Sequence, residues 1–234
     1  MGIDYSYPRT YHLRGSPGVS RDDKVMPLSD AQHFFVGPRI VLSEKLDGTT
    51  AGFMTDEVFA RSHHAPTKLD YFSEAKALHA LIRGRIPRSV CVYGEWLAKK
   101  HSIHYTEIST AIGDLYQRPN YYFHIFAIRA KDSWRSWDQV TLFAKSVQVP
   151  TVPILWRGRV DNVIQLQKIV GGLADQKSLY GYHREGVVGR LASGFTHGDA
   201  EGNRQLYGKV FKWVRKGHVT SPTHHRKNRF VQNL

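Results

Sequence analysis

Short runs rich in β-branched and aromatic residues dominate the pattern of apolar and polar positions, and they predict strands at Arg39–Ser43, Thr50–Met54, Val58–Arg61, Ser89–Tyr93, Tyr121–Ile128, Val187–Leu191 and Lys209–Val214. Helical spacing is rarer. Ala75, Leu78, Leu81 and Ile82 fall on one face of Ser73–Arg83, which Gly84 can stop. In a second segment Asp161 can cap a run in which Val163, Leu166, Val170 and Leu173 recur, and Gly171-Gly172 loosens its end. Ser136–Val147 is a weaker helical segment. No repeat or linker divides the chain, although 20 glycines and 10 prolines mark many turns. Strands grouped around a few helices, without βαβ alternation, predict one α+β domain with mainly antiparallel sheets.

A chain of 234 residues can bury a core without crosslinks, and its single cysteine, Cys91, leaves no intrachain disulfide to form. No apolar run approaches the ~20 residues of a spanning helix, and Met1–Ser6 lacks the features of a signal peptide. The expectation is a cytoplasmic protein with no membrane partner. Charge sharpens the picture. The formal net charge is +13, and every acid lies at or before Glu201. Beyond it come only cations: Arg204, Lys209, Lys212, Arg215, Lys216, Arg226, Lys227 and Arg229, interleaved with Tyr207, Phe211, Trp213 and Phe230. A one-signed segment is either a solvated tail or a polyanion-binding one, and the aromatic rings, on which bases stack, favour nucleic acid.

The sharpest local feature is Glu44-Lys45-Leu46-Asp47-Gly48, which follows the apolar run Ile40–Leu42 and precedes another β-prone run. Asp-Gly there is a turn between strands, and an ordinary hairpin is the plain reading. The chemical reading is that a lysine at a strand end, partly desolvated and near other cations, loses its proton readily and can attack phosphorus or carbonyl carbon. Downstream, in order, stand Tyr93-Gly94-Glu95-Trp96-Leu97, Phe123-His124-Ile125-Phe126-Ala127-Ile128, Glu185-Gly186-Val187-Val188-Gly189 and Lys209–Val214.

This order resembles the covalent nucleotidyltransferase superfamily of polynucleotide ligases and mRNA capping enzymes, with Lys45 opening its first motif. The stretch Tyr93–Tyr105 and the N-terminal run Tyr11–Gly18 are similar to the ATP-dependent RNA ligases within it. The resemblance implies an adenylation domain whose sheets flank a nucleotide pocket, with no C-terminal OB-fold, since the run after Lys212 is too short for that barrel. It also implies that Lys45 takes AMP from ATP, passes it to an RNA 5′-phosphate, and leaves a 3′-hydroxyl to displace AMP.

Within the resemblance Lys45, Glu95, Glu185 and Lys212 are the catalytic set. Glu44, Asp47, Gly48, Arg61, Phe126 and Lys209 would bind the nucleotide, with Phe126 stacking on adenine, although core packing explains that ring equally well. Glu185 and Glu95 would hold Mg²⁺ or Mn²⁺. The last motif usually places two lysines two residues apart on one strand face. Here Lys212 fits, Val214 stands at the second position, and Lys209 could serve only through a bulge or shifted register. Ala127 stands where an aspartate is common. Arg14-Gly15-Ser16 reads either as a phosphate-facing turn or as a simple loop. His63-His64, His101 with His104 and His224-His225 lack the spacing of a zinc site. Residues 1–217 are expected to form the adenylation domain and 218–234 a short basic extension, with Arg215, Lys216, Arg226, Lys227 and Arg229 on RNA. The expected partner is RNA with 5′-phosphate and 3′-hydroxyl ends, joined by a monomer. A capping-type guanylyltransferase, a DNA ligase and a non-catalytic RNA-binding module are the competing readings.

Overall fold

The structure is a computed structural model that describes residues 3–63, 66–68, 70–106, 108, 122–198 and 206–217. Its first elements are β1 (Tyr11–Leu13), β2 (Val25–Met26), α1 (Leu28–Phe35), β3 (Ile40–Lys45), β4 (Thr49–Phe53) and β5 (Val58–Ala60). Then follow α2 (Ser73–Ile82), β6 (Val90–Trp96), β7 (Phe123–Ala130), β8 (Ser133–Trp134), α3 (Trp137–Ser146) and β9 (Ile154–Gly158). The last are α4 (Val163–Ala174), β10 (Gly186–Leu191), β11 (Phe195–Thr196) and β12 (Val210–Val214).

The strands form two six-stranded sheets, ordered β2-β1-β12-β10-β3-β9 and β11-β8-β7-β6-β4-β5. The pairing is antiparallel except where β1 runs parallel to β2 and β12. This is the expected α+β class, and each of the seven predicted strands has its counterpart, displaced at the ends by a few residues. Residue 121 lies outside the described residues, and β7 starts at Phe123.

Three helical expectations change in detail. Leu81 does not join the buried face of α2; it is 74% exposed while Ala75, Leu78 and Ile82 are buried. Asn162, not Asp161, caps α4 by accepting from Gln165 N at 2.8 Å, and the helix runs through Gly171-Gly172 to Ala174. The weaker segment forms α3, begun by a reciprocal cap between Ser136 and Gln139. Pattern did not reveal α1, whose Ala31 and Phe35 are buried.

Period-two alternation then sorts side chains onto the two faces of the first sheet. Ile40, Leu42, Val187, Phe211 and Trp213 pack with Ala31 and Phe35 of α1 and with Val163, Leu166 and Val170 of α4. The other face carries Val41, Ser43, Lys45, Val188, Arg190, Val210 and Lys212. It looks toward the second sheet, whose Tyr93, Ala127 and Trp134 share one apolar cluster with Leu206 and Val210. Register lines up the polar groups: Ser43 is opposite Val188, Val188 opposite Lys212, and Lys212 opposite His12. Gly186 makes this close pairing workable, because a Cβ there would lie 1.9 Å from the Trp213 carbonyl oxygen. Among the described residues no helix is long and apolar enough to cross a membrane.

Candidate functional site

Between the two sheets lies a cleft of about 390 Å³. Lys45 ends β3 on its wall, opposite Gly186, and that register brings Glu185 to it: Lys45 Nζ is 2.7 Å from Glu185 Oε1. Glu95, from β6, also lines the cleft and accepts a hydrogen bond from Gly48 N at 3.2 Å. A Cβ on Gly48 would sit 2.7 Å from the Trp96 carbonyl, so only glycine lets the turn close down on β6.

The electrostatics differ from the sequence expectation. Burial pushes the Lys45 ammonium down, but Glu185 and Glu95 outweigh it, and its pKa stands above the ordinary lysine value. Its near neighbours are carboxylates more than cations. Burial raises Glu95 to about 8, against the pull of Lys45 and with the help of Glu185 and Asp47. The half-buried Glu95 and the buried Glu185 thus both act on one ammonium, a donor set that suits a hard divalent cation arriving with phosphate oxygens. Among the described residues no group of three or more metal-ligating side chains gathers, so these two acids would have to share such an ion with the ligand and water.

Lys212 reaches the same cleft from β12, where its Nζ donates to Asp23 Oδ1 at 2.9 Å. Its pKa is lowered by burial, with Asp23 working against that shift. At the cleft's other end Phe126 is half-buried on its wall. The β6–β7 register shifts between Tyr93 and Gly94, which pair with Ala127 and Ile125, leaving Phe126 as the extra residue of a bulge. Arg190 holds this end together. Its guanidinium donates to Arg135 O at 2.7 Å and Phe126 O at 3.4 Å, and lies over the rings of Trp137 and Phe195. Burial lowers its pKa to about 10, partly offset by Tyr7. Exposed Arg61 and Arg9 border the opening.

Thus Lys45, Glu95, Glu185, Lys212, Phe126 and Arg61 converge, Glu44 borders the cleft with its carboxylate engaged elsewhere, and the other predicted residues stand apart. Glu44 has the opposite parity in β3. Its fully enclosed carboxylate accepts from Ser178 Oγ at 2.5 Å and lies 3.5 Å from Arg184 Nε, away from Lys45. Asp47 braces the turn instead of lining the cleft: its Oδ2 accepts from Ile103 N at 2.8 Å, and its backbone N donates to Tyr105 Oη at 2.7 Å. Gly48 likewise acts through Glu95. Lys209 precedes β12 in a turn, its backbone N bonded to Leu206 O at 3.1 Å, and does not border the cleft. Nor do Arg215 and Lys216. Arg226, Lys227 and Arg229 lie outside the described residues. Ser16 of the N-terminal turn is buried beside His12, while Arg14 is exposed. His101 Nε2 lies 3.1 Å from Thr49 Oγ1.

Sequence reasoning missed Asp23, His12, Tyr7, Arg9 and Arg190. Arg190 was within reach, since it stands two residues after Val188 and shares its parity in a strand that borders the cleft. Asp23 had no such signal, because it lies in a turn whose path the pattern does not set.

Comparison with known proteins agrees with this geometry. The family model described as RNA ligase matches residues 38–214. No curated protein sequence matches. Among solved structures, the chain is similar to a variant of the Naegleria gruberi RNA ligase with ATP and Mn, at 16% identity and a TM-score of 0.56, covering 90% of this chain and 56% of that one. The same organism's RNA ligase with PPi gives 18% and 0.56, covering 92% and 61%. An archaeal ATP-dependent RNA ligase gives 12% and 0.55, covering 90% and 48%. The chain therefore spans about half the length of these solved proteins, and at such identities they speak to the fold. With the family model extending from just before β3 to the end of β12, across every strand that carries Lys45, Glu95, Phe126 and Lys212, the chain belongs to the RNA ligase family.

Proposed function

We propose that the chain is an ATP-dependent RNA ligase that works through a covalent lysyl-AMP. The observation that supports this most directly is Lys45, on the wall of the cleft, set 2.7 Å from the buried Glu185 in a member of the RNA ligase family. The base of ATP would lie toward Phe126 and its phosphates toward Lys45 and Lys212. The Lys45 ammonium must first lose a proton, and Glu185 Oε1 is the acceptor placed against it. The Nζ lone pair then forms a bond to the α-phosphorus as the bond to the bridging oxygen breaks, and pyrophosphate leaves with that electron pair. Lys212 and Arg61 offset the charge of the phosphates. This is positioning and charge stabilisation, which phosphoryl transfer chiefly asks of a protein. A divalent cation, Mg²⁺ or Mn²⁺, held by Glu95 and Glu185 would supply Lewis-acid neutralisation of the phosphate oxygens.

The AMP is then passed to an RNA 5′-phosphate, and a 3′-hydroxyl displaces it to form the phosphodiester. Arg9 and Arg61 at the cleft opening, and the cations from Arg215 to Arg229, are the groups assigned to the RNA strand. The test is incubation with Mg²⁺ or Mn²⁺ and either α-labelled ATP or α-labelled GTP. Acid-stable label from ATP, lost in Lys45→Ala, together with joining of 5′-phosphorylated RNA, is the expected result. Label from GTP would point to capping chemistry, label from neither to a binding module, and preferred sealing of nicked DNA would reject RNA as the substrate.

A further inference from the structure

Asp23 places a carboxylate on the cleft wall at the end assigned to the phosphates, where a negative charge should repel the ligand. It is nonetheless tightly fixed. Oδ2 accepts from Ser20 N at 3.0 Å and from Ser20 Oγ at 2.7 Å, while Oδ1 takes the Lys212 ammonium at 2.9 Å. Behind it stands His12, in register with Lys212 on the neighbouring strand and 1% exposed. His12 Nε2 lies 3.3 Å from Asp23 Oδ2, off the hydrogen-bond axis, and Nδ1 is 2.9 Å from Ser16 Oγ. Ser16 Oγ in turn accepts from Val214 N at 2.9 Å. The chain of contacts thus leaves β12 at Val214, passes through Ser16, His12 and Asp23, and returns to β12 at Lys212.

The strand gives the cleft only one ammonium, because Val210 and Val214 flank Lys212 on the same face. Four charged or titratable groups face it: Asp23 and His12 from the N-terminal segment, Lys45 from β3 and Glu185 ahead of β10. Asp23 is the one in direct contact. A lysine has a long flexible stem and no fork geometry, so a lone lysine that must meet one phosphate needs an external guide.

We propose that Asp23 is a positioning residue for Lys212, itself held in place by Ser20 and backed by His12 and Ser16. In this role the carboxylate fixes where the ammonium stands and keeps it charged in a partly buried place. This deepens the ligase reading and rests on it. Removing the guide should therefore lower the rate of adenylation more than the affinity for ATP, and it should matter only while Lys212 is present.

The experiment measures lysyl-AMP formation from α-labelled ATP in wild type, Asp23→Asn, Asp23→Glu, Lys212→Ala and the double variant Asp23→Asn with Lys212→Ala. Expected is a rate at saturating ATP about 10-fold or more below wild type for Asp23→Asn, with half-saturating ATP within about twofold. Asp23→Glu should recover most of the rate, and the double variant should be no slower than Lys212→Ala alone. An Asp23→Asn rate at or above wild type, a loss seen only in half-saturating ATP, or additive losses in the double variant would each overturn the assignment. Should Asp23→Asn fail to fold, the same cycle run with Asp23→Ser, which also removes the carboxylate, reads the same coupling. A wild type that takes up no label defeats the ligase reading, whereas a labelled wild type matched by Asp23→Asn defeats only the role given to Asp23.

Discussion

At the scale of single residues, Lys45 is both a nucleophile and a counter-ion. Its ammonium lies against Glu185, which is 3% exposed, and is attracted by Glu95 as well. Because its pKa is raised in the fold, the stability it contributes is present in full below the ordinary lysine value and is lost only as the pH rises through the folded one. At pH 8 that contribution is intact. Lys45→Ala should therefore abolish adenylation and also destabilise the protein, by less than the ~3–5 kcal/mol lost on breaking a fully buried pair, because Lys45 is 26% exposed and Glu185 alone of its two acids is buried. Lys45→Arg keeps the charge, so it should be equally inactive but fold with nearly wild-type stability. Urea unfolding at pH 8 checks this, and equal stability of the alanine variant would mean that the ion pair adds nothing to the fold. The sequence located this lysine but misjudged its surroundings. Which charges surround a strand end depends on register, and register between Lys45 and Gly186 is a long-range fact.

At the scale of elements, the bulge in the second sheet does what a regular strand would not. Phe123-His124-Ile125-Phe126-Ala127-Ile128 reads as a buried central strand, and from sequence Phe126 could as well be core. The extra residue between the Gly94 and Tyr93 pairings frees its ring to line the cleft beside Tyr7, with centroids 5.1 Å apart. Phe126→Ala should raise the half-saturating ATP in adenylation about 10-fold, in line with ~1–3 kcal/mol for stacking one base on one ring. Phe126→Tyr should keep it near wild type. An alanine variant with unchanged ATP dependence would return Phe126 to the core. The same contrast explains what was legible. Alternation in β3, β10 and β12 showed as apolar runs, and their parity sorted Lys212 from Lys209. It also carried the information that Glu44 faces away from Lys45, which the motif reading overrode. The short strands β1, β2, β8 and β11 have too few residues to show a period, and β2 and β1 bracket the turn that carries Asp23 and so hid it.

At the scale of the whole molecule, two sheets face each other over a cleft, and the cost of that arrangement is polar groups enclosed along the seams. Three histidines show it. His12 is buried in β1 beside β12, His124 is buried in β7 and contacts Tyr180 Oη at 2.9 Å, and the half-buried His197 accepts from Trp134 Nε1 at 3.1 Å. Burial lowers His12 and His197 to about 4 and His124 to about 3, with Lys212 adding to the effect at His12 and Arg129 at His197. Sequence could count histidines but not enclose them. A histidine whose folded pKa is depressed contributes stability above its unfolded value, near 6.5, and that stability is lost as the pH falls through the folded one. From pH 6.5 toward pH 4 the unfolded chain therefore binds more protons than the folded one at all three positions. Stability should fall with acidification at up to ~4 kcal/mol per pH unit from these groups together, before carboxylates add their share. His124→Gln removes one of the three, and it does not line the cleft. Denaturant unfolding at pH 7, 6 and 5 should then show a slope against pH smaller by up to one proton's worth, ~1.4 kcal/mol per unit, chiefly between pH 6 and 5, while a slope equal to that of wild type would mean that His124 takes up its proton alike in the folded and unfolded chain.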